Sequence, residues 1–367
     1  MKKLILIGIF CSFFASTAFA EPIRIGVIFA KTGRAADVGK DFFKAINLLA
    51  EDLNNTGGVL GRQIELLEFD NTSTSLGAKQ AGMEALQANV MAVIGSSWSS
   101  NTKVIAEIFQ KEGIPLVTPL ATNPDVTAVG NYIFRVCYTD PFQGKVMAKF
   151  ARVDLSAKTA MVFTNVDSGY SQSLSSEFSR SFESLGGKVL ARHEYLRLKT
   201  DFSSEIEAVH KLTPDVVYLS GYVRDSTLII LQSDKMDGKV QFLGGDGWGS
   251  GMYDFAGNEI DGNYYTTHWH PQNPNPISDT LLARYGHEKI KGSRLVLAYD
   301  ALMVLVDAIT RAQTTDGEAI RKALSTTVDF PGATGNISFN AQGDPMKAAV
   351  ILRLENGSSS FVKAVTP

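Results

Sequence analysis

Two consecutive loops of this 367-residue chain carry hydroxyl groups that could bind a small anion. The segment Ser96–Thr102 follows a predicted strand and opens a predicted helix, so its hydroxyls and free backbone N–H groups suit a carboxylate. Plain capping of that helix by Ser99 or Ser100 accounts for the same residues equally well. The next predicted strand opens into the polar segment Thr118–Pro124. An anion site and a helix cap therefore remain alternatives for the first loop.

Three later loops add a carboxylate and aromatic rings, each directly after a predicted strand. They are Asp167–Tyr170, Ser220–Tyr222 and Gly245–Trp248. Taken singly, each of them is an ordinary turn or cap. Open α/β sheets bind ligands at the carboxyl ends of their strands. Together the loops therefore predict one cleft that offers an anion site, a carboxylate and several aromatic rings.

Signatures of catalysis and of cofactor binding do not match. The segment Gly33–Lys40 has five residues between its glycines instead of the four of a phosphate-binding loop, and Asp41 replaces the Mg²⁺-binding hydroxyl. Gly244–Gly251 lacks the spacing of a dinucleotide loop. His268 and His270 have no third metal ligand nearby, so we expect them to form a surface or hinge pair. We therefore expect a protein that is not an enzyme and that uses no cofactor or metal.

Length and charge limit the class of protein further. A chain of 367 residues exceeds what one hydrophobic core usually organises, which predicts two lobes. The 35 basic and 38 acidic residues give a net charge of -3, which argues against a nucleic-acid partner. Cys137 lies in an apolar run, and we expect it to be a buried structural thiol.

The first twenty residues have the pattern of a secretory signal peptide. Lys2 and Lys3 precede the apolar run Leu4–Phe14, and Ala18–Ala20 forms a small-x-small cleavage site. We expect the mature chain to begin near Glu21 and to be soluble outside the cytoplasm.

Strand and helix patterns alternate after the signal. The first set of strands is predicted at 23–29, 64–69, 90–94 and 115–117, and its helices at 38–53, 76–89 and 102–111. The cycle restarts after Thr139 with strands at 158–163, 189–195, 216–219 and 240–243, and helices at 170–185, 202–212 and 224–233. Three helical stretches over 277–327 and strand-like runs at 335–339 and 348–354 complete the chain. This alternation predicts parallel sheets that are covered by helices on both faces.

The chain resembles the periplasmic binding proteins for leucine, isoleucine and valine, which are the soluble receptors of ABC importers. The resemblance extends over essentially the whole mature chain. It rests on Ile23–Val27, Asn54–Gly61, Ile94–Ser96, Val117–Pro119 with Thr122, Gly221–Tyr222 and Asp300–Leu302. It implies an α/β fold with two doubly wound parallel-sheet lobes joined by a three-segment hinge. The implied lobes are 21–139 with 270–343 and 140–269 with 344–367, after the signal peptide 1–20.

The resemblance also implies which residues of the first lobe bind the ligand. Ser99 would hold the α-carboxylate of an amino acid together with backbone groups nearby. Ser97 and Trp98 belong to the same binding loop. Thr122 and the carbonyl of Leu120 would hold the carboxylate and the ammonium.

In the second lobe, the resemblance implies that Tyr170 and Tyr222 cover the ligand and that Asp246 pairs with its α-ammonium. A buried zwitterion needs a partner for each of its charges. The sequence departs from the family at three places. Asp246 replaces a Glu that is one methylene longer, Val38 replaces an aromatic wall residue, and Trp98 replaces a small residue.

The implied function is capture of a branched-chain or other aliphatic amino acid and its delivery to the membrane subunits of an ABC permease, as a monomer. Two alternatives stay open: a receptor for a short amide, urea or an aromatic acid, and a sensory ligand-binding subunit. A ligand that lacks an ammonium would leave Asp246 buried and unpaired, which is costly and favours the amino acid.

Overall fold

Two β-sheets, one of five strands and one of seven, organise the chain. The computed structural model describes residues 21–234, 240–286, 290 and 292–367, so the predicted signal peptide lies outside the described residues. Within these ranges, no helix combines the length and the apolar character needed to cross a membrane.

The first sheet is parallel throughout and has the strand order β2-β1-β3-β4-β5. Its strands are β1 Ile23–Phe29, β2 Ile64–Asp70, β3 Ala92–Gly95, β4 Leu116–Thr118 and β5 Ile133–Arg135. The helices between them are α1 Ala36–Asn55, α2 Ser75–Gln87 and α3 Ser99–Glu112. Along β1, Val27 and Phe29 share a buried cluster with α1, whereas Ile28 packs with α2 and α3 on the other face. Both faces are therefore covered, which explains why the strand is apolar throughout.

The second sheet has the order β12-β11-β10-β9-β8-β6-β7. Its parallel part contains β6 Thr159–Asn165, β7 Lys188–Tyr195, β8 Val216–Leu219, β9 Gln241–Gly244 and β10 Tyr264–Thr267. The helices are α4 Asp140–Lys149, α5 Gly169–Ser184, α6 Ser203–Leu212, α7 Val223–Asp234 and α8 Tyr253–Ala256. The hairpin of β11 Ala349–Glu355 and β12 Ser358–Val365 adds an antiparallel edge.

The helical block near the carboxyl terminus returns to the first sheet. It contains α9 Pro276–Tyr285, α10 Arg294–Ala312 and α11 Gly317–Ser325. The apolar residues of α10 share one buried cluster with β1 and α1. The chain therefore crosses between the two sheets three times: from β5 to α4, from β10 to α9, and from α11 to β11.

The predicted α/β class and the alternation of strands and helices are confirmed, and most element boundaries agree within a few residues. Several features differ from the sequence analysis. The strands β5 and β10 and the helix α4 were not among the predicted elements. The run 335–339 is not a strand, because Ile337 and Phe339 make only isolated bridges in a loop; buried Ile337 packs into the first core instead. The antiparallel hairpin at the edge of the second sheet was not predicted, because residues 358–365 mix exposed polar and apolar side chains.

Gly39 shows how closely α1 approaches the end of β1. A Cβ atom at Gly39 would lie 1.9 Å from the carbonyl oxygen of Ala30, a backbone atom that cannot rotate away. We predict that Gly39→Ala lowers the free energy of unfolding by about 1–3 kcal/mol, although alanine favours helix formation. Gly249→Ala is the control, since no atom lies within 4 Å of its Cβ position. Urea unfolding measures both, and wild-type stability of Gly39→Ala would contradict this packing.

Candidate functional site

The first-lobe residues predicted to bind a ligand lie together after β3 and β4. Ser99 is the first residue of α3, and its Oγ accepts a hydrogen bond from the backbone N–H of Asn123 at 3.3 Å. Trp98 occupies the position before the helix and makes no side-chain cap, so the capping alternative for Ser99 and Ser100 is wrong. The Oγ1 atom of Thr122 is buried and has no hydrogen-bond partner among the described residues. The hydroxyl also faces the carboxyl group of Asp140, where it acts to lower the pKa, so a ligand would share it with that carboxyl group.

The second-lobe aromatic residues form a stack. The rings of Tyr170 and Tyr222 lie 5.2 Å apart at an interplanar angle of 28°. The hydroxyl of Tyr170 accepts the backbone N–H of Gly247 at 2.9 Å, which fixes the ring beside the loop that carries Asp246. The hydroxyl of Tyr222 lies 3.3 Å from the Oγ of Ser168.

Direct contacts join the two sides of the cleft. The ring of Trp98 stacks on Tyr222 with centroids 5.1 Å apart. The side-chain amide of Asn123 donates to the carbonyl of Gly169 at 2.7 Å, and the Oγ of Ser100 accepts the N–H of Gly169 at 3.4 Å. Both sides thus contribute side chains to one contact layer, and the cleft is closed in this structure.

Asp246 belongs to a network of buried hydrogen bonds. Its side chain is only 4% exposed, and Oδ2 lies 3.0 Å from the Nε2 atom of His268. Its other oxygen, Oδ1, accepts from the Nε2 of Gln143 at 2.9 Å. The same Gln143 amide group donates to Asp140 at 3.0 Å and accepts from the Oγ1 of Thr266 at 2.9 Å.

A second carboxyl group belongs to this network. Asp140 begins α4 and is fully buried, and its Oδ2 atom has no hydrogen-bond partner among the described residues. Burial, and after it the negative charge of Asp246, raise the pKa of Asp140 to about 7. Two acidic groups thus share one Gln143 amide in a site with little access to water. Such a site disfavours two negative charges and favours an added cation.

The loop that carries Thr122 is held by a buried arginine. Arg135 is fully buried, and its guanidinium donates to the carbonyl groups of Ala121 at 2.5 Å and Asn123 at 2.9 Å. Its Nε donates to Asp344 at 2.5 Å. The two residues that flank Thr122 are therefore fixed to the third crossing segment.

Several sequence expectations can be compared with these positions. Cys137 is buried, as predicted, and its Sγ lies 3.5 Å from the carbonyl of Ala121. Of the surface and hinge positions expected for His268, the structure shows the hinge position: His268 lies on the second crossing segment, is 4% exposed and is bonded to Asp246. His270 is half-buried and faces the carbonyl of Ser359. Val38 is half-buried and packs against the first core.

The sequence analysis did not find Asp140, Gln143 and His268. Asp140 and Gln143 stand three residues apart in the first turn of a helix, so only their place after the first crossing segment could have indicated a role. His268 was noticed only as one member of a His-x-His pair.

A cleft between two α/β units, lined by hydroxyls, aromatic rings and a buried carboxylate, defines a ligand-binding protein of two lobes. The chain belongs to the periplasmic binding protein family, which matches residues 22–359. Proteins of this family bind solutes and are not enzymes.

Similar proteins span nearly the full chain. The leucine-, isoleucine-, valine-, threonine- and alanine-binding protein of Pseudomonas aeruginosa is 29% identical over 90% of this chain and 89% of its own length. The crystal structure of the leucine-binding protein LivK of Thermotoga maritima is 34% identical, with a TM-score of 0.90 over 94% of this chain and 99% of that one. The branched-chain amino acid transporter substrate-binding protein LivJ of Streptococcus pneumoniae, in complex with isoleucine, is 26% identical, with a TM-score of 0.88 over 94% and 100%.

The raised pKa of Asp140 predicts a pH dependence of stability. The folded chain keeps this proton up to about pH 7, whereas an unfolded aspartate loses it near pH 4. Between these pH values the folded state therefore binds more protons than the unfolded state. The contribution of Asp140 to the free energy of unfolding falls as pH rises through this window, by up to about 4 kcal/mol. We predict that Asp140→Asn removes this fall in the free energy of unfolding. Urea unfolding of ligand-free wild type and variant at pH 4.5, 6.0 and 7.5 measures the difference.

Asp254→Asn is the matched control, because Asp254 is exposed in the same lobe. A wild-type slope that persists in Asp140→Asn would show that Asp140 ionises normally and would contradict the buried acidic pair.

Proposed function

We propose that this protein is the substrate-binding component of an ABC importer, which captures a branched-chain or other aliphatic amino acid between its lobes. The observation that carries the proposal is the buried carboxylate of Asp246, which is connected through Gln143 and Asp140 to the loop that carries the Thr122 hydroxyl. A zwitterion is the small ligand that matches both features, because each of its charges meets a fixed partner out of water.

The anionic end of the ligand has partners in the first lobe. Ser99 stands at the start of the 14-residue helix α3, where free backbone N–H groups favour a carboxylate. Thr122 contributes a buried hydroxyl that lacks a partner among the described residues. We assign the ligand carboxylate to these two residues. Ser97 and Trp98 form the same loop, and the carbonyl of Leu120 is a further acceptor for the ammonium.

The cationic end has its partner in the second lobe. Asp246 pairs with the ligand ammonium, and the stacked rings of Tyr170 and Tyr222 cover the ligand. Because Trp98 stacks on Tyr222, it extends this aromatic wall across the cleft. Trp98 and Val38 change the walls of the pocket relative to the branched-chain receptors, whereas the partners of the two charges are retained in type.

Similarity supports an amino acid as the ligand. The Pseudomonas aeruginosa relative is named for five aliphatic or hydroxyl amino acids, and the Streptococcus pneumoniae structure contains isoleucine. Structures in complex with benzoate and with 4-hydroxybenzoate are only 20% and 19% identical, so they share the fold and carry no argument about the ligand.

The lobe boundaries follow from the three crossings. We propose lobes of 21–139 with 270–343 and of 140–269 with 344–367, which close on the ligand and present it to the permease as a monomer. The signal peptide pattern of residues 1–20, together with the family, supports a periplasmic location.

The proposal is tested by measuring amino acid binding to wild type and to Asp246→Asn. We predict that the wild-type protein, unfolded and refolded to remove bound ligand, binds an aliphatic amino acid in calorimetric titration. Asp246→Asn keeps the shape of the side chain but loses its charge, and should weaken binding by about 2–5 kcal/mol.

Asp254→Asn is again the control and should bind as wild type does. Unchanged affinity of Asp246→Asn would remove the assignment of the ammonium. Failure of the refolded wild-type protein to bind any of the twenty amino acids would overturn the proposed function itself.

A further inference from the structure

The buried histidine beside Asp246 has no role in the function proposed above. His268 directly follows β10 on the second crossing segment, and its Nε2 lies 3.0 Å from Oδ2 of Asp246. The two side chains are 3% and 4% exposed. An ionised carboxylate only accepts hydrogen bonds, so His268 must donate from Nε2. The binding carboxylate thus has a partner that belongs to the hinge.

Asp246 is held from a second direction by Gln143. The Nε2 of Gln143 donates to Oδ1 of Asp246 at 2.9 Å, and its Oε1 accepts the backbone N–H of Asp246 at 3.3 Å. Each carboxylate oxygen thus has one protein donor. A carboxylate offers about four acceptor positions, so about two remain for the N–H groups of an ammonium. His268 and Gln143 together fix the orientation of these remaining positions.

The imidazole of His268 is itself fixed by stacking. Its ring lies 3.9 Å from the ring of Tyr138, at an interplanar angle of 28°. Tyr138 is 1% exposed and lies on the first crossing segment. The histidine therefore contacts the binding carboxylate on one side and a neighbouring hinge segment on the other.

We propose that His268 is a positioning residue of the binding site: its Nε2–H donor orients Asp246 for the ligand ammonium. The proposal rests on the proposed function, because it needs a cationic group on the ligand. Without this donor, Oδ2 of Asp246 loses the contact that fixes its direction, so the ammonium meets a less ordered carboxylate and binds more weakly.

The test is calorimetric titration of refolded protein with leucine at pH 8.5. His268→Gln keeps an N–H donor, so it should bind within about threefold of wild type. His268→Phe keeps the stacking but cannot donate, so it should bind about tenfold more weakly.

His270→Gln is the matched control, because His270 lies two residues away and contacts the carbonyl of Ser359 instead of Asp246. It should keep the wild-type affinity. Weakening of leucine binding by His268→Gln that is as large as the weakening by His268→Phe would show that the lost donor is not the cause, and would overturn the positioning role.

Leucine binding that is unchanged in His268→Phe at pH 8.5 would overturn the positioning role while leaving the proposed function intact. If the wild-type protein failed to bind any amino acid, the proposed function would fail first and separately. Should His268→Phe not refold, His268→Leu, which also lacks a donor, takes its place. Recovery of binding in His268→Gln then separates the lost donor from a general loss of structure.

Discussion

The carboxylate of Asp246 is buried in the closed cleft, so its negative charge needs partners inside the protein. Several polar contacts of the site meet this requirement. Burying an unpaired charge costs several kcal/mol, so closure is favourable only if cationic or donor groups replace the lost water. Gln143 and His268 supply one donor to each oxygen. These donors reduce the cost of burial, and under the proposed function the ammonium of a ligand completes the compensation.

The same requirement connects the site to the hinge. Asp246 follows β9, but its partners belong to other elements: Gln143 to α4 and His268 to the second crossing segment. On the other side of the cleft, Arg135 holds the loop of Thr122 and pairs with Asp344 on the third crossing segment. The proposed ligand-binding residues are therefore bonded to residues of the crossing segments. A change in the relative position of the lobes would alter the site and these bonds together.

The fold and the outer part of the site could be predicted, because their signals are local. Apolar runs such as that of β1 indicate strands buried on both faces, and the loops that carry Ser99 and Asp246 follow such strands directly. The buried network could not be predicted, because it depends on contacts between residues far apart in the chain. Gln143 and Asp246 are separated by 103 positions, and nothing in the sequence near His268 distinguishes a surface imidazole from one that faces a buried carboxylate.

The most direct test of this account compares leucine with 4-methylpentanoate, which is leucine without its ammonium, in thermal unfolding of the refolded wild-type protein. A ligand at a hundred times its dissociation constant adds about 2.7 kcal/mol to the stability of the folded state, which raises the melting temperature by a few degrees in a protein of this size. The account predicts that leucine or another aliphatic amino acid raises the melting temperature and that the analogue without an ammonium does not. Equal shifts with both compounds would contradict it, because the charge of Asp246 would then have no part in recognition.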